Sequence, residues 1–264
     1  MAWWLAYLAM GLGVGVLAGM LGIGGGTMLV TLMVLAFNAQ GFAPDRVLHL
    51  ALGTAMATII VTSISSFRAH HRRGAVRWDI VRVVAPGLIV GAVLGALAAD
   101  YLSTTCLAAI FVAFVLYAGT QLILDVKPEA SRCLPGKRLM GVMAAFIGMV
   151  CSLVGAAGGV ITIPLLSMCN VPLRQAIGTS AAFGLPVAVA STAGYIWSGL
   201  GEQSLPPFSL GYVFMPALVA IVAGTFVTVP AGASLAHRMP VRTLKRVLGV
   251  LLWLLAARMS WTFL

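Results

Sequence analysis

The sequence predicts an all-α polytopic membrane protein made of two inverted repeats. Each repeat is a glycine-broken re-entrant helical hairpin followed by three transmembrane helices. Three observations carry this. The chain is 61% hydrophobic and only 8% charged, against roughly 25% charged residues in soluble domains. A glycine-rich motif near the N-terminus has a second copy in the other half of the chain. Loops at corresponding positions of the two halves carry opposite charge character.

The repeats are residues 1–126 and 127–264, forming together one membrane domain. The opening MAWWLAYL lacks the basic start of a cleavable signal peptide and reads as part of the first membrane segment. Residues 3–37 contain no charge. As a straight helix they would run roughly 52 Å at 1.5 Å per residue, too long for one crossing of a ~30 Å hydrocarbon layer. The cluster Gly22, Gly24, Gly25 and Gly26 divides the run, and glycine inside a helix costs up to about 1 kcal/mol relative to alanine. The shorter piece cannot cross, so two part-length helices meeting inside the membrane are expected. Spans over 48–67, 80–99 and 103–124 complete the first half. The second repeats the pattern, with a broken segment at 139–169 and spans at 175–198, 209–235 and 243–262.

The copies align residue by residue. GMLGIGGGTMLVTLM (Gly19 to Met33) matches SLVGAAGGVITIPLL (Ser152 to Leu166), and ALGTAMAT (Ala51 to Thr58) matches AIGTSAAF (Ala176 to Phe183). Pro86 and Pro216 open matching segments.

Charge sets the orientation. RAHHRRGAVRWDIVR (Arg68 to Arg82) is strongly basic and is expected in the cytoplasm, whereas its counterpart SGLGEQSLPPFS (Ser198 to Ser209) has no basic residue. DYLSTT (Asp100 to Thr105) has none either, and its counterpart HRMPVRTLKR (His237 to Arg246) is basic. Matching loops therefore face opposite sides, which requires an odd number of net crossings per half. A re-entrant hairpin plus three spans and five full crossings both satisfy this, and segment length favours the hairpin. The linker Asp125 to Arg138 then lies inside and both termini outside. The net charge of +10 sits in these loops, where it specifies topology, so nucleic acid is not an expected partner. Cys106, Cys133, Cys151 and Cys169 lack metal-ligand spacing and are expected as small buried packing residues.

Broken helices in inverted repeats mark secondary transporters that bind substrate near the midplane. Irregular backbone at that depth survives only inside protein or along a watery cavity. Gly24, Gly25 and Gly26 precede a half-helix starting near Thr27, and Gly158 and Gly159 precede one at Val160. A helix N-terminus offers free N–H groups and about half a positive charge, so two of them together form a candidate anion cradle. Close helix packing is the alternative role for these glycines. Thr54, Thr179 and Ser180, at matched Gly-Thr pairs, are candidate donors to an oxyanion; bonding to their own helix carbonyls is the alternative. Arg174 and His49, at equivalent span entrances, and Arg258 read as interfacial, and His70 and His71 as solvated loop residues.

All six acidic residues lie in loops or at segment ends. No mid-span carboxylate exists to relay protons or hold sodium. No nucleophile–base pair or metal-ligand set is present either, so an enzyme is not expected, and neither is a cofactor.

The glycine motifs followed by ALGT and AIGT resemble those of the TauE/SafE family of sulfite and organosulfonate exporters, over essentially the whole chain. The resemblance implies export of a small sulfur-containing anion such as sulfite, sulfoacetate or a related sulfonate across a bacterial inner membrane. The partners would be that anion and the lipid bilayer, with homo-oligomer formation left open. The motif departs from symmetry at Ala156–Ala157, opposite Ile23–Gly24. A passive anion channel, an exporter of another small anionic metabolite and an accessory membrane subunit remain alternatives.

The reversed loop charges make a direct prediction. Single cysteines placed at Gly74 and at Gln203 react with an impermeant reagent from opposite sides of the membrane. Labelling of both from the cytoplasm would rule out inverted repeats.

Overall fold

The computed structural model describes residues 2–21, 25–124, 135–236 and 241–263. The first broken segment forms α1 (Ala2–Leu21) and α2 (Gly26–Ala39). Three long helices follow: α3 (Val47–Arg72), α4 (Trp78–Tyr101) and α5 (Thr104–Leu124). The second broken segment forms α6 (Lys137–Leu153) and α7 (Gly159–Met168), followed by α8 (Leu173–Gly199). A small antiparallel ribbon, β1 (Ser209–Leu210) and β2 (Val213–Phe214), then leads into α9 (Met215–Ala236) and α10 (Val241–Phe263). Among the described residues, α3, α4, α5, α8 and the stretch Lys245–Phe263 of α10 are long and apolar enough to cross a membrane. The chain is an all-α polytopic membrane protein.

Three details depart from the sequence expectation. Helix α3 runs past residue 67 to Arg72, so His70 and His71 stand on its last turn rather than in a loop. Their placement with Arg72 at a helix C-terminus suits the negative end of the dipole, and His71 stacks on Phe67. The span expected from residue 209 begins instead with the ribbon, because left-handed backbone at Phe208 and Gly211 turns the chain before α9 can start. Cys151 and Cys169 are buried as expected, but Cys106 is exposed on the first turn of α5; Cys133 lies outside the described residues.

Most close packing joins one half to the other. Helix α1 lies on α9, α6 on α4, α5 on α10 and α3 on α8, while α2 and α7 rest on α3 and α8 of their own halves. Exchanging each element for its counterpart turns these pairs into one another. Helices α3 and α8 are the most buried of the spans. They run antiparallel, since Gly53 meets Tyr195 at one end and Gly184 meets Ser63 further along.

The α4–α6 and α1–α9 seams are lined with glycine. Gly87, Gly91 and Gly95, spaced four apart, lie against the backbone of Gly141, Ala145 and Met149, and Gly11 and Gly15 lie against Ile221 and Thr225. Between apolar helices in an apolar solvent, attraction comes from close van der Waals contact, and small residues permit that approach. A Cβ at Gly91 would overlap the Ala145 carbonyl, whereas one at Gly13 would meet nothing within 4 Å. Gly91→Ala is therefore expected to destabilise by about 1–3 kcal/mol, as overpacked interiors do. Gly13→Ala should be neutral or slightly stabilising, and thermal unfolding of the two purified variants checks the contrast.

Candidate functional site

The two helix breaks are built alike. In the first, Gly25 caps α2 in a left-handed conformation at φ 60°, and its carbonyl accepts the Leu29 N–H at 3.1 Å. In the second, Gly158 caps α7 at φ 87°, and its carbonyl accepts the Thr162 N–H at 2.9 Å. These glycines occupy equivalent positions of the duplicated motif, and a side chain disfavours this backbone by about 1–2 kcal/mol. Gly24 lies outside the described residues. Helix α6 ends in a Schellman arrangement around Gly155 (φ 64°), with the Ala156 N–H bonded to the Cys151 carbonyl at 2.9 Å. This closes α6 and leaves the start of α7 as the polar end.

The breaks touch. A Cβ on Gly26 would strike the Gly155 carbonyl, and one on Gly155 would lie 2.6 Å from Val30 of α2 and 3.3 Å from Leu52 of α3. Beside this contact is a cavity of about 30 Å³, room for a water or two. Leu17 and Ala18 of α1, Gly25 to Met28, Ala156 and Val160 of the second break, Ala118 and Leu122 of α5, and Leu252 of α10 line it. No charged side chain is among them. Helices α2 and α7, with 14 and 10 residues, span only ~21 and ~15 Å, too short to cross a ~30 Å layer.

Of the residues singled out by sequence, the structure brings Gly25, Gly26, Thr27 and Val160 together around this cavity. Gly158 and Gly159 shape the start of α7 without lining it. Ser180 lies behind α7, its hydroxyl bonded to that of Thr162, whose own hydroxyl reaches the Gly158 carbonyl at 3.0 Å. Both are buried, and the pair fastens the half-helix to α8. Sequence reasoning missed Thr162 because Leu29 occupies the matching position, so duplication gave no signal.

Thr54 and Thr179 are occupied elsewhere. The Thr54 hydroxyl donates to the Leu50 carbonyl at 2.7 Å and accepts the Phe214 N–H at 3.0 Å. The Thr179 hydroxyl accepts the Arg77 N–H at 3.0 Å. Arg174, exposed, reaches the Arg73 carbonyl at 3.3 Å, whereas His49 is buried with Nε2 2.8 Å from the Ala99 carbonyl rather than at a surface. Arg258 is exposed.

Replacing the cap glycines separates their conformation from their surroundings. A Cβ at Gly158 meets only ordinary contacts, Cys151 Sγ at 3.7 Å and Thr162 Cγ2 at 4.0 Å, while one at Gly25 falls 2.9 Å from Ala18 Cβ and 3.0 Å from Val14. Gly158→Ala should therefore cost only the ~1–2 kcal/mol of the left-handed backbone, and Gly25→Ala more. Thermal unfolding of the two variants, in the same detergent, checks the order.

A family model described as sulfite exporter TauE/SafE matches residues 7–259. A probable membrane transporter protein of Haemophilus influenzae is 34% identical over 93% of both chains. The probable membrane transporter protein YdhB of Bacillus subtilis is 27% identical over 88% of this chain and 89% of its own. A probable membrane transporter protein of Methanocaldococcus jannaschii is 26% identical over 73% of this chain and 75% of its own. No solved structure matches the chain.

Proposed function

This chain belongs to the sulfite exporter TauE/SafE family, and we propose that it exports a small sulfur-containing anion, such as sulfite or an organosulfonate, across a bacterial inner membrane. The observation that carries the reading is the contact between two helix breaks, each opening a half-helix with a left-handed glycine cap. The first N–H groups of α2 and α7 have no partner within their helices. Each N-terminus contributes about half a positive charge, and Thr27 and Val160 bring both to one cavity. In this reading Gly24, Gly25 and Gly26 and the matching Gly158 and Gly159 let backbone approach the oxyanion closely. Thr162 and Ser180 hold α7 in place. Thr54 and Thr179 act through the loops they hold. The cavity is too small for a four-atom oxyanion, so loading requires the breaks and the flanking α5 and α10 to part.

The antiparallel packing of α3 on α8 supports the inverted repeat, since equivalent helices related by an axis in the membrane plane must run in opposite directions. The cytoplasmic side then carries the Arg73–Arg77 turn, and the ribbon and both termini face the periplasm.

Energetics follow from the absence of a mid-span carboxylate among the described residues. With an interior-negative potential, each negative charge moved outward releases about 2.3 kcal/mol per 100 mV. Export is then downhill without a coupled ion. Proteoliposomes under a clamped potassium diffusion potential test this. Sulfite efflux should accelerate as the interior is made negative, saturate with concentration and ignore sodium and pH gradients at constant substrate ionisation. Flux that follows the proton gradient and ignores voltage refutes uncoupled export, and non-saturating flux points to a channel.

A further inference from the structure

The Gly-Thr pairs of α3 and α8 hold two loop segments in the same way, one from each half. In one, the Tyr212 N–H bonds the Tyr195 carbonyl at 3.1 Å and the Phe214 N–H, two residues on, bonds the Thr54 hydroxyl at 3.0 Å. In the other, the Ala75 N–H bonds the His70 carbonyl at 3.1 Å and the Arg77 N–H bonds the Thr179 hydroxyl at 3.0 Å. Gly53 admits the Tyr212 backbone and Gly178 the Ala75 backbone; a Cβ at either would overlap it. Each loop immediately precedes a long helix, α9 or α4, and each is seated on the central helix of the opposite half.

The structure assigns these two seats to holding the mouths of the transport path shut, Gly53–Thr54 at the periplasmic mouth and Gly178–Thr179 at the cytoplasmic one. The assignment rests on the inverted-repeat reading above, which places the two loops on opposite sides. Both seats are engaged while the cavity between the breaks is nearly closed, as an occluded state requires. Thr54 and Thr179 are thus positioning residues, acting on the loops and through them on access.

The seats are unequally fastened. At the Thr54 seat, Phe214 is boxed by Tyr7, Phe37 and Phe42 with ring centroids 5.4–6.2 Å away. Arg46, capping α3, pairs with Glu202 of the α8–β1 loop at 2.7 Å and with Asp100 at the end of α4 at 3.5 Å. Tyr212 donates to the same Asp100 at 2.7 Å. The Ser204 hydroxyl donates to Glu202 and holds its carboxyl below the usual carboxylate range. The Tyr195 hydroxyl, below the seat, bonds the Ser152 carbonyl at 3.1 Å in the last turn of α6, so this mouth is tied directly to the second break. The Thr179 seat has a tie from the exposed Arg174 to the Arg73 carbonyl at 3.3 Å and an exposed Arg77–Asp79 pair where the loop enters α4. Trp78 stands edge-on to Phe67 and His71 of α3, and among the described residues this seat has no ion-pair network like that around Arg46. The cytoplasmic mouth should release more readily, which suits a protein that loads from inside.

Ala156 lines the cavity and is buried. An Ala156→Cys chain whose four native cysteines are replaced by alanine reports which mouth opens, through its reaction with an impermeant maleimide. In right-side-out vesicles, Thr54→Val and Glu202→Gln should each raise labelling by up to about tenfold, the factor that one lost hydrogen bond allows. In inverted vesicles, Thr179→Val and Arg174→Gln should do the same, while Thr54→Ser and Thr179→Ser should keep the parent rate. Should a valine variant fail to fold, Glu202→Gln and Arg174→Gln, which alter half-buried or exposed side chains, decide the matter. Unchanged labelling in all four variants overturns the seats as latches, whether or not the chain exports sulfite. Increased labelling confined to one vesicle orientation for both seats overturns the inverted arrangement instead.

Discussion

A peptide group that leaves a helix inside a bilayer finds no water to bond, and that single constraint organises this protein. Each unsatisfied polar group in hydrocarbon costs several kcal/mol, so broken helices must be enclosed by protein. Here the two breaks enclose each other, Gly26 against Gly155, with α3, α5 and α10 around them. Neither half supplies that enclosure alone. The broad seams, α1 on α9 and α6 on α4, cross between halves for the same reason: the first arm of each broken segment is covered by the other half.

Glycine serves three separate physical ends in this fold. Gly25 and Gly158 supply left-handed backbone at the helix starts. Gly87, Gly91 and Gly95 let α4 and α6 approach to backbone contact. Gly53 and Gly178 make room for loops seated on α3 and α8. Close packing, weighed in the sequence as the alternative use of the broken-segment glycines, is realised at Gly26, against the Gly155 carbonyl, as well as along the α4–α6 seam. The caps combine both, since Gly25 also sits tightly against Ala18.

What was legible in the sequence depended on range. The all-α membrane architecture and the positions of the breaks follow from uncharged run lengths and local glycine density, and α2 and α7 begin within a residue of where those signals put them. The duplication also singled out Gly53–Thr54 and Gly178–Thr179 as special. It could not say to what they bind, because the partners Phe214 and Arg77 lie 160 and 102 residues away and present only backbone N–H groups, which have no residue type. The same limit hid the Thr162–Ser180 pair, which breaks the repeat symmetry, and the Arg46–Asp100–Tyr212–Glu202 network, each member of which reads alone as an ordinary loop or end residue. The ribbon was missed because Phe208, a residue type that disfavours left-handed backbone, adopts it.

The asymmetry between the halves bears on how an anion could be both held and released. Two helix N-termini supply roughly one positive charge between them, fixed in direction by backbone and impossible to titrate away. A monoanion in such a cradle would be close to neutralised, whereas a dianion would retain about one net charge and so feel the membrane potential while bound. Fixed dipoles of this size cannot be switched off to let the ligand go, so release has to come from geometry: the N-termini must separate, or water must enter between them. Water reaches the cavity only if a mouth opens. A half-helix is easier to tilt than a full span, and α7, the shorter of the two, is fastened to α8 through the Thr162–Ser180 hydroxyls and follows the break that Tyr195 ties to the Tyr212 loop. In the proposed cycle, moving that loop therefore moves the second terminus off the anion, and the mouth that opens and the charge that lets go are parts of the same displacement.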